Sequence, residues 1–239
     1  SSNSGQLGST PEVAYDLLYK DYEKGLYREV LPKTELAVEQ FTGEEMASKF
    51  ELLKANLLGK LKGLIEFKKA LNYVALTYPN SEEGKSTEVF LAKKMPYLES
   101  LSFNSEFPLS WNILYKADNL EDKNTKALLE KLNKFAKERT IEKLTISTDI
   151  YTIDKNFIVI HGIKSLDNAK GIAQVLKEFK EYKIAEPAIV ISSENYKVVQ
   201  VKKNIDEYTA GDWLNKDIIP IQRNLELDQP KEEAKKKPE

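Results

Sequence analysis

Ile146-Ser147-Thr148-Asp149-Ile150-Tyr151 and Ile191-Ser192-Ser193-Glu194-Asn195-Tyr196 read as two versions of one hexapeptide. The runs upstream correspond too. Leu128, Leu129, Leu132 and Phe135 make a helical stripe whose counterparts are Ile172, Ala173, Leu176 and Phe179, one position out of step in the way a turn-length difference produces. The second half of the chain is therefore expected to be built from two helix–strand–strand units.

Around these units the patterns alternate. Trp111 to Lys116 predicts a strand with Trp111, Ile113 and Tyr115 on one face. Leu120 to Arg139 predicts a helix, and Leu144 to Tyr151 a strand. On that strand Leu144, Ile146 and Ile150 are expected to point at the helices, while Thr145, Ser147, Asp149 and Tyr151 look outward. The apolar run Phe157-Ile158-Val159-Ile160-His161 reads as a central strand, Ser165 begins a helix ending near Lys183, and Ala188–Ser192 with Tyr196–Lys202 reads as a second hairpin. Asp206 to Leu214 predicts a short helix. The order strand, helix, strand, strand, helix, strand, strand predicts a ferredoxin-like α/β sandwich with one strand added, helices on one face and the other face uncovered.

The first half reads as helices. Thr10-Pro11-Glu12 is a helix start, followed by a stripe of Val13, Ala14, Leu17, Leu18 and Tyr22 that Gly25 closes. A second helix over 26–40 turns Val30, Leu36, Ala37 and Phe41 inward, with Pro32 marking its start or a bend. Thr42 and Glu45 form a capping box for a third, Met46 to Leu58. Leu64 to Tyr78 is a fourth, after a Gly59 to Gly63 hinge, and Ser81 caps a fifth reaching Met95-Pro96. Paired helices with the junction Tyr78-Pro79-Asn80-Ser81 carry the signature of tetratricopeptide-like hairpins, with Ala55, Phe67, Leu71 and Pro79 at repeat positions. The expected organisation is α+β: a disordered linker at 1–9, helical repeats at 10–96, an aromatic docking linker at 97–109 carrying Tyr97, Phe103 and Phe107, the α/β domain at 110–215, and a disordered charged tail at 216–239.

Composition removes several chemistries. In 239 residues there is no Cys, so disulfides, thiolate metal sites and cysteine nucleophiles are excluded. Lys and Arg number 36 against 38 Asp and Glu, a net charge of −2 that gives no basic footprint for nucleic acid. No apolar run approaches the ~20 residues of a membrane span. The chain opens on Ser1, which is expected of a processed or truncated piece. With His161 the only histidine, next to Gly162, neither a His-based triad or dyad nor a multi-histidine metal site is expected. No glycine-rich phosphate loop and no nucleophile-elbow sequence is present, so no catalytic residue, cofactor or metal is predicted. Asp149 and Glu194 occupy equivalent repeat positions, where turn-forming side chains explain them more simply than a carboxylate pair. Binding remains. Tyr151 and Tyr196 pack a hairpin or mark an exposed contact face, and with Asp149 and Glu194 they are the candidate protein-binding residues.

The Tyr78-Pro79-Asn80-Ser81 junction, the strand Phe157-Ile158-Val159-Ile160-His161 and the run Ile191-Ser192-Ser193-Glu194-Asn195-Tyr196-Lys197-Val198-Val199-Gln200 resemble the C-terminal part of a large tetratricopeptide lipoprotein family, SprE or PorW, of the type IX secretion and gliding-motility apparatus of Bacteroidota. The resemblance spans residues 10 to 225. The lipid-bearing Cys and long N-terminal repeat array of that family are not in this sequence, so anchoring would come from an upstream lipid attachment. It implies a non-enzymatic scaffold or adaptor on the periplasmic face of the outer membrane, with secretion-machinery proteins as partners and no nucleic acid. The alternative is a periplasmic module that binds peptidoglycan.

Overall fold

The computed structural model describes residues 10–106 and 108–214. The expectations for 1–9, for Phe107 and for 216–239 lie outside the described residues. The chain is of mixed α+β class.

Six helices come first: α1 (Pro11–Glu23), α2 (Tyr27–Gln40), α3 (Ala47–Lys62), α4 (Leu64–Thr77), α5 (Glu82–Lys93) and α6 (Met95–Ser100). Central α3 buries two sides. Phe50, Leu53, Leu57 and Leu61 face Ala14, Leu18, Val30, Leu31 and Ala37 of α1 and α2. Ala55 faces Leu64, Leu71 and Met95 instead. The apolar stripes expected on α1 and α2 are narrower than the sequence suggests, since Val13, Leu17 and Leu36 stay about half exposed. Pro32 neither starts nor ends α2, which begins five residues ahead of it. The capping box at Thr42 does not form. The Thr42 hydroxyl donates back to the Val38 and Glu39 carbonyls, and α3 starts at Ala47 without a side-chain cap.

Next in the chain are β1 (Trp111–Ala117), α7 (Lys123–Glu138), β2 (Thr145–Ile150), β3 (Asn156–Ile163), α8 (Leu166–Glu178), β4 (Ala188–Ser192), α9 (Ser193–Lys202) and α10 (Ile205–Ala210). The four strands form one sheet in the order β2-β3-β1-β4, every pair antiparallel. On one face Trp111, Ile113, Tyr115, Ile158 and Ile160 pack against Leu128, Leu132 and Phe135 of α7 and Ile172 and Leu176 of α8. Phe179, matched to Phe135 by the repeat, is 58% exposed, and Tyr182 packs edge-on to Phe135 instead. The Ile150 side chain, expected at these helices, packs on the α1–α3 cluster.

The duplicated unit is corrected in two respects. The predicted fifth strand, Tyr196–Lys202, is helix α9, so the hexapeptide copies do not share a conformation. Ile146–Tyr151 is strand β2 and its end. Ile191-Ser192 closes β4, where the Ser192 hydroxyl accepts the Asn195 N–H at 3.1 Å and caps α9. Thr148 and Ile150, β-branched where the second copy has Ser193 and Asn195, keep the first copy extended. The second sheet face is also not open: Leu114, Phe157, Val159 and Ile191 are covered by Tyr196, Val198 and Val199 of α9, Ile205 and Tyr208 of α10, and Phe103.

Gly84, in the first turn of α5, sits so tightly under the preceding turn that an added Cβ would lie 1.8 Å from the Tyr78 carbonyl oxygen. Ser81 fixes that approach, accepting from the Gly84 N–H at 3.0 Å while donating to the Tyr78 carbonyl at 2.8 Å. Helix propensity alone predicts that Gly84→Ala stabilises by about 1 kcal/mol. The clash predicts the opposite, a loss of about 1–3 kcal/mol in urea unfolding. A neutral or stabilised variant would show that this junction does not require glycine.

Candidate functional site

Three of the four predicted site residues, Asp149, Tyr151 and Tyr196, converge on the covered sheet face. Tyr151 and Tyr196 are each only 5% exposed, a correction to the outward-looking Tyr151 and to any exposed contact face made of the pair. The Tyr151 hydroxyl accepts the Ile205 N–H at 3.1 Å, tying β2 to the start of α10. The Tyr196 hydroxyl donates to Asp149 Oδ2. Burial, and then this bond to a carboxylate, push the Tyr196 phenol far above its ordinary range. Glu194 points elsewhere. Its Oε1 accepts the Leu109 N–H at 3.2 Å, while Asn195 exchanges two hydrogen bonds with the Asn104 backbone, so the start of α9 holds Asn104 and Leu109.

Sequence reasoning excluded a histidine dyad, yet one histidine suffices to pair with a serine. His161 on β3 lies opposite β2, which brings its Nε2 to 2.5 Å from Ser147 Oγ, itself 2.8 Å from Asp149 Oδ1. Ser, His and Asp together suggest acyl transfer, but the order of donors argues for another role. A carboxylate only accepts, so Asp149 takes the Ser147 proton on one oxygen and the Tyr196 proton on the other. The Ser147 oxygen is then the acceptor for an Nε2–H of His161. In a hydrolytic triad the histidine nitrogen takes the serine proton and the carboxylate orients the histidine. Here the carboxylate holds the serine proton, and the chain His161 to Ser147 to Asp149, closed by Tyr196, pins β2 and β3 to α9.

A second constellation lies where the helical layer meets the α/β layer. From α2, the Arg28 guanidinium donates three hydrogen bonds to the turn after β2, two to the Thr152 carbonyl at 2.7 and 3.2 Å and one to the Lys155 carbonyl at 2.7 Å. The Lys202 ammonium donates to the Glu99 carbonyl at 2.8 Å. Beside it Lys203, in the left-handed region at φ 55°, ends α9. Its stem runs against Gly63, where a Cβ would come within 2.9 Å of Lys203 Cγ, and its ammonium sits 5.4 Å from the centre of the Tyr151 ring. Burial first, and Lys60 on α3 second, bring the Lys203 ammonium down to about 8. Lys203 lines a cavity of about 390 Å³ between α3, α4 and α9, with Tyr22, Asn56, Lys60, Phe67, Lys197 and Gln200 among its walls. It also borders a second cavity, of about 330 Å³, with Lys116, Asp118, Lys155, Asn156 and Asp206.

Sequence reasoning missed Arg28, Lys60 and Lys203. Nothing local separates these three from the chain's other cations. Among the described residues no cluster of three or more His, Cys, Asp or Glu is arranged to hold a metal ion.

Two titrations test these environments. Burial, partly offset by the Asp149 charge, lowers the His161 imidazole below 6.5. A group depressed in this way binds its proton more tightly when unfolded, so its contribution is complete above pH 6.5 and is lost as pH falls toward the folded value. The single histidine C2–H resonance should titrate with a midpoint below 6.5 and move lower still in Asp149→Asn. A wild-type midpoint at or above 6.5 contradicts this geometry. For Lys203 the folded value of about 8 lies below the ordinary 10.5, so the unfolded chain holds the extra proton between them and stability rises with pH across that window. Chemical unfolding at pH 8 and pH 10 should show that rise in the wild type and a smaller one in Lys203→Met. Equal slopes would place the Lys203 ammonium in ordinary solvent.

The chain matches no known protein-family model and no curated protein.

Proposed function

We propose that the chain is a non-enzymatic docking module of a bacterial envelope secretion machine, made of tetratricopeptide-like helical hairpins joined to a ferredoxin-like α/β sandwich. The observation that carries this reading is an apolar stripe on the outer side of α4. Ile65 is 84% exposed, Leu76 82% and Tyr73 52%, and with Lys69 they follow one face of the helix at spacings of four, eight and eleven residues. Large apolar side chains recurring at helical spacing in water favour a protein partner over a solvated face.

Two features support a helical-repeat reading of the first half. Gly59 of α3 lets the Phe67 ring of α4 approach to 2.9 Å of where a Cβ would stand, and Gly63 alone links the two helices. For the second half the support is the connectivity β-α-β-β-α-β with strand order 2-3-1-4, both long helices on one face. The saturated Ser147, Asp149 and Tyr196 cluster favours a structural pin over a nucleophile. The resemblance to SprE or PorW then suggests the partners, other proteins of type IX secretion and gliding motility, and a position on the periplasmic face of the outer membrane.

Native co-purification tests the reading. The wild-type protein should enrich secretion components, and the double variant Ile65→Asp, Leu76→Asp should recover them at least about tenfold less, since a buried charge in an interface costs more than about 1.4 kcal/mol. Retention on purified peptidoglycan without secretion components would replace this reading with cell-wall binding. Equal recovery by both proteins would remove α4 as the docking face.

A further inference from the structure

We propose that the cavity between α3, α4 and α9 is a binding site for a small organic oxyanion, a carboxylate or phosphate ester bearing a compact apolar group. Its walls divide by chemistry. Lys60, Lys197 and Lys203 supply cations, Asn56 and Gln200 supply amides, and Leu64, Phe67, Leu98 and Val201 supply apolar surface. Among the described residues no carboxylate lines it. At about 390 Å³ it falls within the size range of small-molecule sites, which pair mostly apolar walls with a few polar groups.

The plainer account is that these lysines neutralise the carbonyl ends of α3 and α9. Lys202, outside the cavity, does so for α6 instead, donating to the Glu99 carbonyl. Lys60 stands in the last turn of α3 and Lys203 at the end of α9. Among the described residues, neither ammonium has a carbonyl or carboxylate partner, and each stands instead near an aromatic face, Lys60 at 5.8 Å from the Tyr27 ring centre and Lys203 at 5.4 Å from that of Tyr151. A half-buried ammonium next to a second cation, with no anion to answer either, is an unfavourable arrangement on its own. An oxyanion in the cavity answers the cations its walls present, while the Lys203 ammonium also borders the second cavity, whose walls include Tyr151, Asp118 and Asp206. Placement of the cations by different elements makes the site depend on the fold: Lys60 from α3, and Lys197 and Lys203 from the middle and the end of α9, with the latter seated against Gly63.

Phenyl phosphate, benzoate and inorganic phosphate are the probes, titrated calorimetrically into the whole protein at low ionic strength and pH 7. Saturable one-to-one binding of phenyl phosphate or benzoate is expected, the tighter of the two identifying the anionic group. Lys203→Met and Lys60→Gln should each weaken it about tenfold, the loss of one desolvated charge contact. Lys170→Gln, on the solvent side of α8, should leave it unchanged. Because Lys203→Met could disturb the junction, a second readout uses the wild type: acetic anhydride labelling followed by mass spectrometry, where phenyl phosphate should protect Lys60 and Lys203 and leave Lys170 reactive. Absence of saturable heat up to about 10 mM, far above the range of a built site, overturns the proposal. So does equal weakening by Lys170→Gln, or labelling that phenyl phosphate does not change. Inorganic phosphate binding as tightly as phenyl phosphate overturns the apolar part of the assignment.

Discussion

A sheet with two apolar faces has to be covered twice, and that requirement shapes the molecule. β1 and β3 carry apolar side chains on both sides, Ile113, Tyr115, Ile158 and Ile160 toward α7 and α8, and Leu114, Phe157 and Val159 toward the other face. Each large side chain left in water would forfeit about 1.5–3 kcal/mol. The two crossover helices are committed to the first face by their connections. Only the segments after β4 and before β1 can reach the second, so α9, α10 and the Phe103 stretch are folded across it. The helical layer is drawn in as a consequence, because the cover is itself short of neighbours on its outer side: Val201 of α9 packs into the α3–α6 cluster, and Ile150 at the end of β2 packs into the α1–α3 cluster.

Covering the second face buries polar groups that must then be satisfied, and the structure meets that need from both layers. Tyr151, Tyr196 and Tyr208 each direct a hydroxyl to a fixed partner, the Ile205 N–H, Asp149 and the Val190 carbonyl. Arg28 crosses from α2 to occupy two carbonyls of the turn after β2. An Arg–carbonyl pair of this kind is worth more than a surface ion pair because one partner is charged and the other cannot turn to water without opening the turn. By contrast exposed salt bridges such as Lys126–Glu121 and Lys68–Glu99 contribute little.

Local signals told the elements and not the cover. Thr10, Ser81 and Ser165 cap helices as their spacing predicts, and the wholly apolar run at Phe157 is a central strand. The same rule misled at Thr42, where the hydroxyl had a closer acceptor in the helix just ended. It misled again at α9. Val198, Val199 and Val201 carry strand propensity, and the match to the first hexapeptide reinforced it, whereas the buried positions Asn195, Tyr196, Val198 and Val199 keep a helical period once Ser192 caps the turn. That single mistake hid everything downstream of it. With Tyr196–Lys202 drawn as a strand, the second sheet face stays bare, Tyr151 and Tyr196 look like surface residues, and Lys203 has no neighbour. The pairings of Ser147 with His161 and of Arg28 with Thr152 span 14 and 124 residues and leave no trace in periodicity.

The two polar constellations differ in a way that separates structure from function. In the Ser147 group every proton has an acceptor and every carboxylate oxygen a donor, and adding a ligand there would break more bonds than it makes. In the Lys203 group one charge is left over. A cation is held half-buried by packing on Gly63 and Tyr151, repelled by Lys60, and answered by no anion among the described residues. Packing alone would be served as well by an apolar side chain of similar length, since a methionine fills the same path without the desolvation cost. A lysine at that position instead fits the proposal that an anion supplied from outside answers the charge.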